Sequence, residues 1–265
     1  MYTHSKLYVT GSRTALVIGN RYVGEGCELY GAKRDAEEVK MKLEKCNFTV
    51  SMHLDLNKKE VEDTFDAFLR KLKSKDDVIF YYSGHGLSYQ GEQLLVPCNM
   101  EQPENEYQIK YKTFSFEYAA HELARYVNSG CKIIITDCCR SEYWSVLKGI
   151  GSRNGFQFNN VSINFDPNNS NKGDMNKGFL DVEMRNIVRM CAASSGQAAE
   201  AGIGNTLSYY TRALSNNILI PNQSIMDLNI KICSELEERN AKPEICFTAP
   251  GKIVTDFRFL ENENE

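Results

Sequence analysis

An α/β fold is predicted, with a mostly parallel six-stranded sheet between two layers of helices. Three features of the 265-residue chain predict it. Short apolar runs alternate with stretches whose apolar residues recur at helical spacing. The runs are continuous, as in strands buried on both faces, and they end in Gly, Ser or Asp. Hydrophobic residues at 42% and charged residues at 25% are those of a globular chain with a sizeable core, and one domain over 1–265 accounts for them.

The first strand is Thr14-Ala15-Leu16-Val17-Ile18-Gly19. A helix opening near Asp35 follows a Gly-containing loop and carries Ala36, Val39, Leu43 and Cys46 on one stripe. Phe48 to Leu54 alternates and reads as the second strand. Asn57 is placed to cap the next helix, whose stripe is Val61, Phe65, Phe68, Leu69 and Leu72. Asp77 to Tyr82 is the third strand and runs into Ser83-Gly84-His85-Gly86. Leu94-Leu95-Val96-Pro97 reads as one arm of a small hairpin. A helix around Phe116 to Val127 leads to the fourth strand, Lys132 to Thr136, and then to Asp137-Cys138-Cys139-Arg140-Ser141. Ile187 to Ala193 is the fifth strand and Glu244 to Thr248 the sixth, with helices near 207–217 and 224–240 between them.

One segment breaks this rhythm. Residues 151–178, between the fourth and fifth strands, hold eight asparagines and four glycines and read as a mobile loop.

The balance of 31 Lys+Arg against 35 Asp+Glu gives a net charge of −4. With no long basic run, neither nucleic acid nor an anionic membrane is expected as a partner. No apolar stretch reaches the roughly 18 residues of a spanning helix, and no apolar region follows Met1 to Lys6, so a cytoplasmic location is expected. The nine cysteines form no CxxC pair, and most are expected to be small core residues with free thiols. No metal or cofactor site is predicted. A phosphate-binding loop fails because Gly24-Glu25-Gly26 lacks the Lys-Ser/Thr that must follow, and Gly202-Ile203-Gly204 does not continue as a dinucleotide fingerprint.

Ligands of such sheets collect beyond the carboxyl ends of the strands. There the chain offers a His bracketed by glycines and, 54 residues on, a cysteine. An imidazole beside a thiol can keep it as thiolate and later protonate a leaving amine. Glycines beside His85 let a substrate backbone approach and leave the Gly86 N–H to face a developing oxyanion.

Tyr82-Ser83-Gly84-His85-Gly86 and Asp137-Cys138-Cys139-Arg140 resemble the His and Cys motifs of the caspase-fold cysteine peptidases, in which about 50 residues separate His from Cys. The resemblance runs from Thr14 to about Leu214. It is closest to the paracaspases, with Leu95-Val96-Pro97 at the hairpin and Arg140 after the cysteine. Metacaspases place His after the catalytic Cys and carry an aspartate-rich calcium segment, and caspases have Gln where Asp137 stands.

The resemblance implies a caspase-like three-layer sandwich and a cysteine endopeptidase that needs no cofactor. It implies Cys139 as nucleophile and His85 as general base and acid, with the Gly86 and Cys139 N–H groups as the oxyanion hole. Side-chain alternation agrees on the cysteine: Asp137 and Cys139 share a side and Cys138 points the other way, into the core. The resemblance also implies an S1 pocket of Asp35, Asp137 and Glu200, hence protein or peptide substrates cleaved after Arg and, more weakly, Lys. A homodimer paired through the sixth strand is implied, as is self-cleavage in the 151–178 loop after Arg153, Lys172 or Lys177. The rival reading is a catalytically silent scaffold of the same fold.

Overall fold

A computed structural model describes residues 11–101, 103, 105, 107–141, 186–197, 199, 204–239, 241–248 and 256–261. Five strands lie parallel: β1 (Arg13–Gly19), β2 (Thr49–Leu54), β3 (Asp77–Ser83), β7 (Lys132–Asp137) and β8 (Ile187–Cys191). The sixth, β9 (Glu244–Phe247), runs antiparallel to β8 at one end of the order β2-β1-β3-β7-β8-β9. This is the predicted α/β architecture. A second, antiparallel sheet was only half visible as a hairpin arm. It consists of β4 (Gly86–Tyr89), β5 (Glu92–Leu95) and β6 (Phe114–Ser115).

Alternation within the buried strands deals the core into two layers. Ala15 and Val17, Ile79 and Tyr81, and Ile133 and Ile135 face one way. They pack on α1 (Gly31–Lys45), α5 (Tyr209–Asn217) and α6 (Ile225–Leu236) through Val39, Leu43, Leu214 and Ile232. Leu16, Ile18, Phe80 and Ile134 face the other way, against Val61 and Phe65 of α2 (Lys58–Leu69) and Phe116 and Leu123 of α4 (Phe116–Tyr126). A short α3 (Tyr107–Lys112) flanks the small sheet, contributing Ile109 to a third cluster with Tyr22, Leu87 and Val96.

The expected cap at Asn57 is present. Its side chain accepts the Glu60 N–H at 3.0 Å, and the Glu60 carboxylate accepts the Asn57 N–H at 2.9 Å, closing a capping box. The first helix differs from expectation. It opens at Gly31, one turn before Asp35, with no side-chain cap. A β-carbon at Gly31 would lie 2.6 Å from the Thr206 carbonyl oxygen, so tertiary packing against that loop, rather than a capping residue, sets this start.

Asn57→Ala removes one end of the box and is expected to lower stability by about 1 kcal/mol. The check is a chemical denaturation midpoint that falls while the slope of the transition is unchanged.

Candidate active site

The parallel register builds the site. Gly19 stands opposite Ser83 and Ser83 opposite Asp137, so three strand tips end level. His85 and Cys139 each lie two residues beyond that level. Their loops touch: the Gly84 N–H donates to the Asp137 carbonyl at 3.3 Å, and a β-carbon at Gly86 would lie 2.7 Å from the Cys139 carbonyl oxygen and 2.6 Å from Cys138 Sγ. Only glycine allows this approach.

Gly86 opens β4 opposite Leu95, and the neighbouring rung runs from the Val96 N–H to the His85 carbonyl at 3.1 Å. In an antiparallel ladder the Gly86 N–H then points away from β5, on the open edge of the small sheet.

His85 is 8% exposed. Its Nε2 lies 2.7 Å from the Cys27 carbonyl oxygen. A carbonyl only accepts, so Nε2 carries the proton and the ring's basic lone pair is on Nδ1. Burial lowers the imidazole pKa to about 4, with the Cys27 carbonyl opposing the shift. Cys139 is half-buried, its Sγ 4.0 Å from the Ala199 carbonyl oxygen. Burial pushes its thiol upward and nearby Asp137 adds to the shift, while the Ala199 carbonyl works against it. Both partners therefore rest neutral, as thiol and imidazole. Burial thus works against a standing thiolate–imidazolium pair, which would desolvate two charges at once. Cys138 is buried in the α2/α4 layer and takes a contact from Gln93 Nε2 at 3.4 Å.

The main chain after the nucleophile strand is tied down on three sides. The Arg140 N–H donates to the Gln197 carbonyl at 2.8 Å, and the Gly196 N–H donates to the Arg140 carbonyl at 3.0 Å. The Arg140 guanidinium reaches Glu244, the first residue of β9, at 2.6 Å.

Two of the three predicted acids converge. Asp35 and Asp137, 2% and 5% exposed, both bind Ser208 at the start of α5. Asp35 accepts the Ser208 N–H at 2.9 Å and the Ser83 hydroxyl at 2.8 Å. Asp137 accepts the Ser208 hydroxyl and the Thr211 hydroxyl, the latter at 2.7 Å. Tyr81 extends this network, its hydroxyl 2.5 Å from Thr211 Oγ1. Burial raises both carboxyls, and Asp137 raises Asp35 further, to about 8. Asp35 sits in the second turn of α1, one turn past the helix start where the sequence put it. Its face of the helix turns to the sheet, so the Ser83 hydroxyl and the Ser208 N–H hold it instead of the free amides of α1.

Glu200, Arg153, Lys172, Lys177 and the 151–178 segment lie outside the described residues. Nothing in the motif spacing pointed to Tyr22 or Cys27, which hold His85 from the loop after β1. Its only sequence signal is Gly24-Glu25-Gly26. No helix among the described residues is long and apolar enough to cross a membrane.

Comparisons with known proteins agree with this geometry. Over 91 residues the chain is 32% identical to the Homo sapiens mucosa-associated lymphoid tissue lymphoma translocation protein 1, covering 34% of this chain and 11% of that protein. The chain thus spans about a tenth of that relative's length. The fold resembles caspase-1 of Spodoptera frugiperda, with a TM-score of 0.64 at 10% identity, covering 100% of this chain and 97% of the other. It also resembles a Geobacter sulfurreducens protein, with a TM-score of 0.66 at 13% identity, covering 96% of this chain and 100% of the other. The sequence profile of the caspase domain matches residues 12–253, and the chain belongs to that family of peptidases.

Proposed function

We propose that the chain is a cysteine endopeptidase cleaving proteins after Arg, and less readily after Lys, by way of a thioester on Cys139. What carries this reading is the pair of buried carboxyls, Asp35 and Asp137, joined through Ser208 beside the strand tips that bear His85 and Cys139. The motifs around those two residues resemble those of the paracaspases.

In this mechanism Cys139 Sγ attacks the scissile carbonyl carbon while its proton passes to His85 Nδ1. The carbonyl oxygen becomes an oxyanion facing the Gly86 and Cys139 N–H groups. Collapse breaks the C–N bond, and His85 gives its proton to the leaving amine. Water then attacks the thioester, His85 takes its proton, and the acid product leaves as the thiol is restored. A neutral resting pair suits this sequence, since His85 begins as a base. The base stays available down to about pH 4, the value burial gives it.

The pocket's charge sets selectivity. Two buried carboxyls crowd each other when no cation is present, so Asp35 keeps its proton up to about pH 8. A P1 guanidinium relieves the crowding and offers a planar fork to two acceptors, which a lysine ammonium matches less well. An aspartate would add a third negative group.

A fluorogenic peptide panel differing only at P1 tests the reading: Arg is expected first, Lys second, and Asp not at all. Preference for Asp would overturn it. Cys139→Ala and His85→Ala should each lose several orders of magnitude in kcat, while Cys138→Ala keeps most activity. Asp137→Ala should abolish the P1 preference.

The acid pair also predicts a pH dependence of stability. Asp35 holds its proton in the folded chain up to about pH 8 and releases it near pH 4 when unfolded. Its contribution is therefore complete below about pH 4 and is lost as pH rises through 8. Asp35→Asn, which cannot ionise, should gain stability relative to wild type from pH 5 to 8, at up to about 1.4 kcal/mol per pH unit. Denaturation midpoints of the two chains across that range provide the check.

We also propose that β9, at the end of the sheet order, pairs with its copy in a two-fold dimer. Light scattering with a substrate-like inhibitor bound should give twice the chain mass. An active monomer would overturn the pairing.

A further inference from the structure

His85 is held by more than the Cys27 carbonyl. In a regular antiparallel ladder the rung from Val96 N–H to the His85 carbonyl would be matched by one from His85 N–H to the Val96 carbonyl. That second rung is open, and the Tyr22 hydroxyl stands in it. It accepts the His85 N–H at 2.8 Å and donates to the Val96 carbonyl at 2.7 Å. Beside it, 2.8 Å away, lies the Tyr82 hydroxyl, itself 2.7 Å from the His85 carbonyl oxygen. Both ends of the His85 residue are thus fastened by tyrosine hydroxyls. The Tyr22 ring covers the imidazole, centroid to centroid 4.4 Å at an interplanar angle of 43°.

Two further observations mark Tyr22 as more than filler. Its φ is +58°, in the left-handed region, although it is a bulky residue with no exposed surface. Such a conformation persists where the surroundings over-determine it, and it clusters at functional sites. The hydroxyl pair also takes the space of a side chain at Gly84, where a β-carbon would lie 2.4 Å from Tyr82 Oη and 3.0 Å from Tyr22 Oη. The glycine before His85 is therefore required by the tyrosines.

We propose that Tyr22 is a positioning residue for His85: its hydroxyl bridges the open rung of the β4–β5 ladder, and its ring seats the imidazole so that Nε2–H stays on the Cys27 carbonyl and Nδ1 is presented to the nucleophile. The inference rests on His85 being the base of the proposed reaction. Without the bridge, the Val96 carbonyl keeps the Tyr82 hydroxyl at 3.1 Å, but the His85 N–H loses the Tyr22 acceptor in a buried place, and the His85 segment must shift to replace it. The shape of the ring contact survives in phenylalanine, so Tyr22→Phe isolates the hydroxyl.

The test reads the tautomer directly. In the full-length chain carrying Cys139→Ala, long-range 1H–15N spectra of His85 are expected to show the Nε2–H form alone. Adding Tyr22→Phe should produce a mixture with the Nδ1–H form. In the chain with Cys139 intact, Tyr22→Phe should lower kcat by about tenfold or more, with KM within about twofold. A role in packing alone would lower the melting temperature and leave the tautomer single. That outcome, whatever kcat does, overturns the proposal. Should Tyr22→Phe fail to fold, Tyr82→Phe removes the other hydroxyl and gives the same readout. A chain that cleaves no peptide yet changes tautomer on Tyr22→Phe would refute the peptidase reading and leave the positioning role standing.

Discussion

The parallel pairing of β3 with β7, with Ser83 opposite Asp137, is the constraint on which the rest of the site depends. Because side chains alternate, this one register decides two matters together. It sends Tyr81, Ser83 and Asp137 to the face covered by α1 and α5, where Asp35 and Ser208 wait. It sends Cys138 to the opposite face, into the α2/α4 layer. A slip of one residue would exchange these assignments, burying Asp137 among Phe116 and Leu123. The continuous apolar core on both faces of the sheet forbids that slip, so the chemistry inherits its geometry from hydrophobic packing.

Burial then sets the protonation states. His85 and Cys139 lie where charge is poorly solvated, and burial moves each toward its neutral form. Asp35 and Asp137 meet the same penalty and add mutual repulsion. The two halves of the site respond alike to desolvation, yet with different consequences. A neutral imidazole is a ready base, whereas a protonated carboxyl is a pocket short of one negative charge until a cation arrives. Hydroxyl donors temper this on the acid side, since Ser83, Ser208 and Thr211 all favour the ionised forms.

Much of this was legible in the sequence, and the limits follow from physics. The strands announced themselves because a sheet buried on both faces needs unbroken apolar runs. Capping by Asn57 was legible because it acts within three residues. His85 and Cys139 were legible because motif and strand tip coincide. Asp35 was found as an acid but misplaced, since Gly31 opens α1 through contact with Thr206, and a contact across 175 residues leaves no local trace. Tyr22 left no sign at all, because its role lies in a hydroxyl reaching a rung that exists only after β4 and β5 have paired. The second sheet was half-read for the same reason: β6 is two residues long and is defined by its partner.

Ser208 shows that the pocket and the fold share atoms. Its hydroxyl caps α5 by accepting the Thr211 N–H at 2.9 Å while donating to Asp137, and its own N–H is held by Asp35. The start of α5 is therefore bound by the carboxyls that the proposed function assigns to substrate. Those carboxyls are pre-oriented by the helix, so little rearrangement is needed when a cation enters. The same sharing means that removing Asp137 takes away both a charge and the acceptor of two hydroxyls, leaving Ser208 and Thr211 to find new partners in a buried place. An isosteric amide at position 137 would keep an acceptor for the two hydroxyls and remove the charge, with an NH2 group in place of the other oxygen. Of the two substitutions, it alone separates what the pocket recognises from what holds the helix in place.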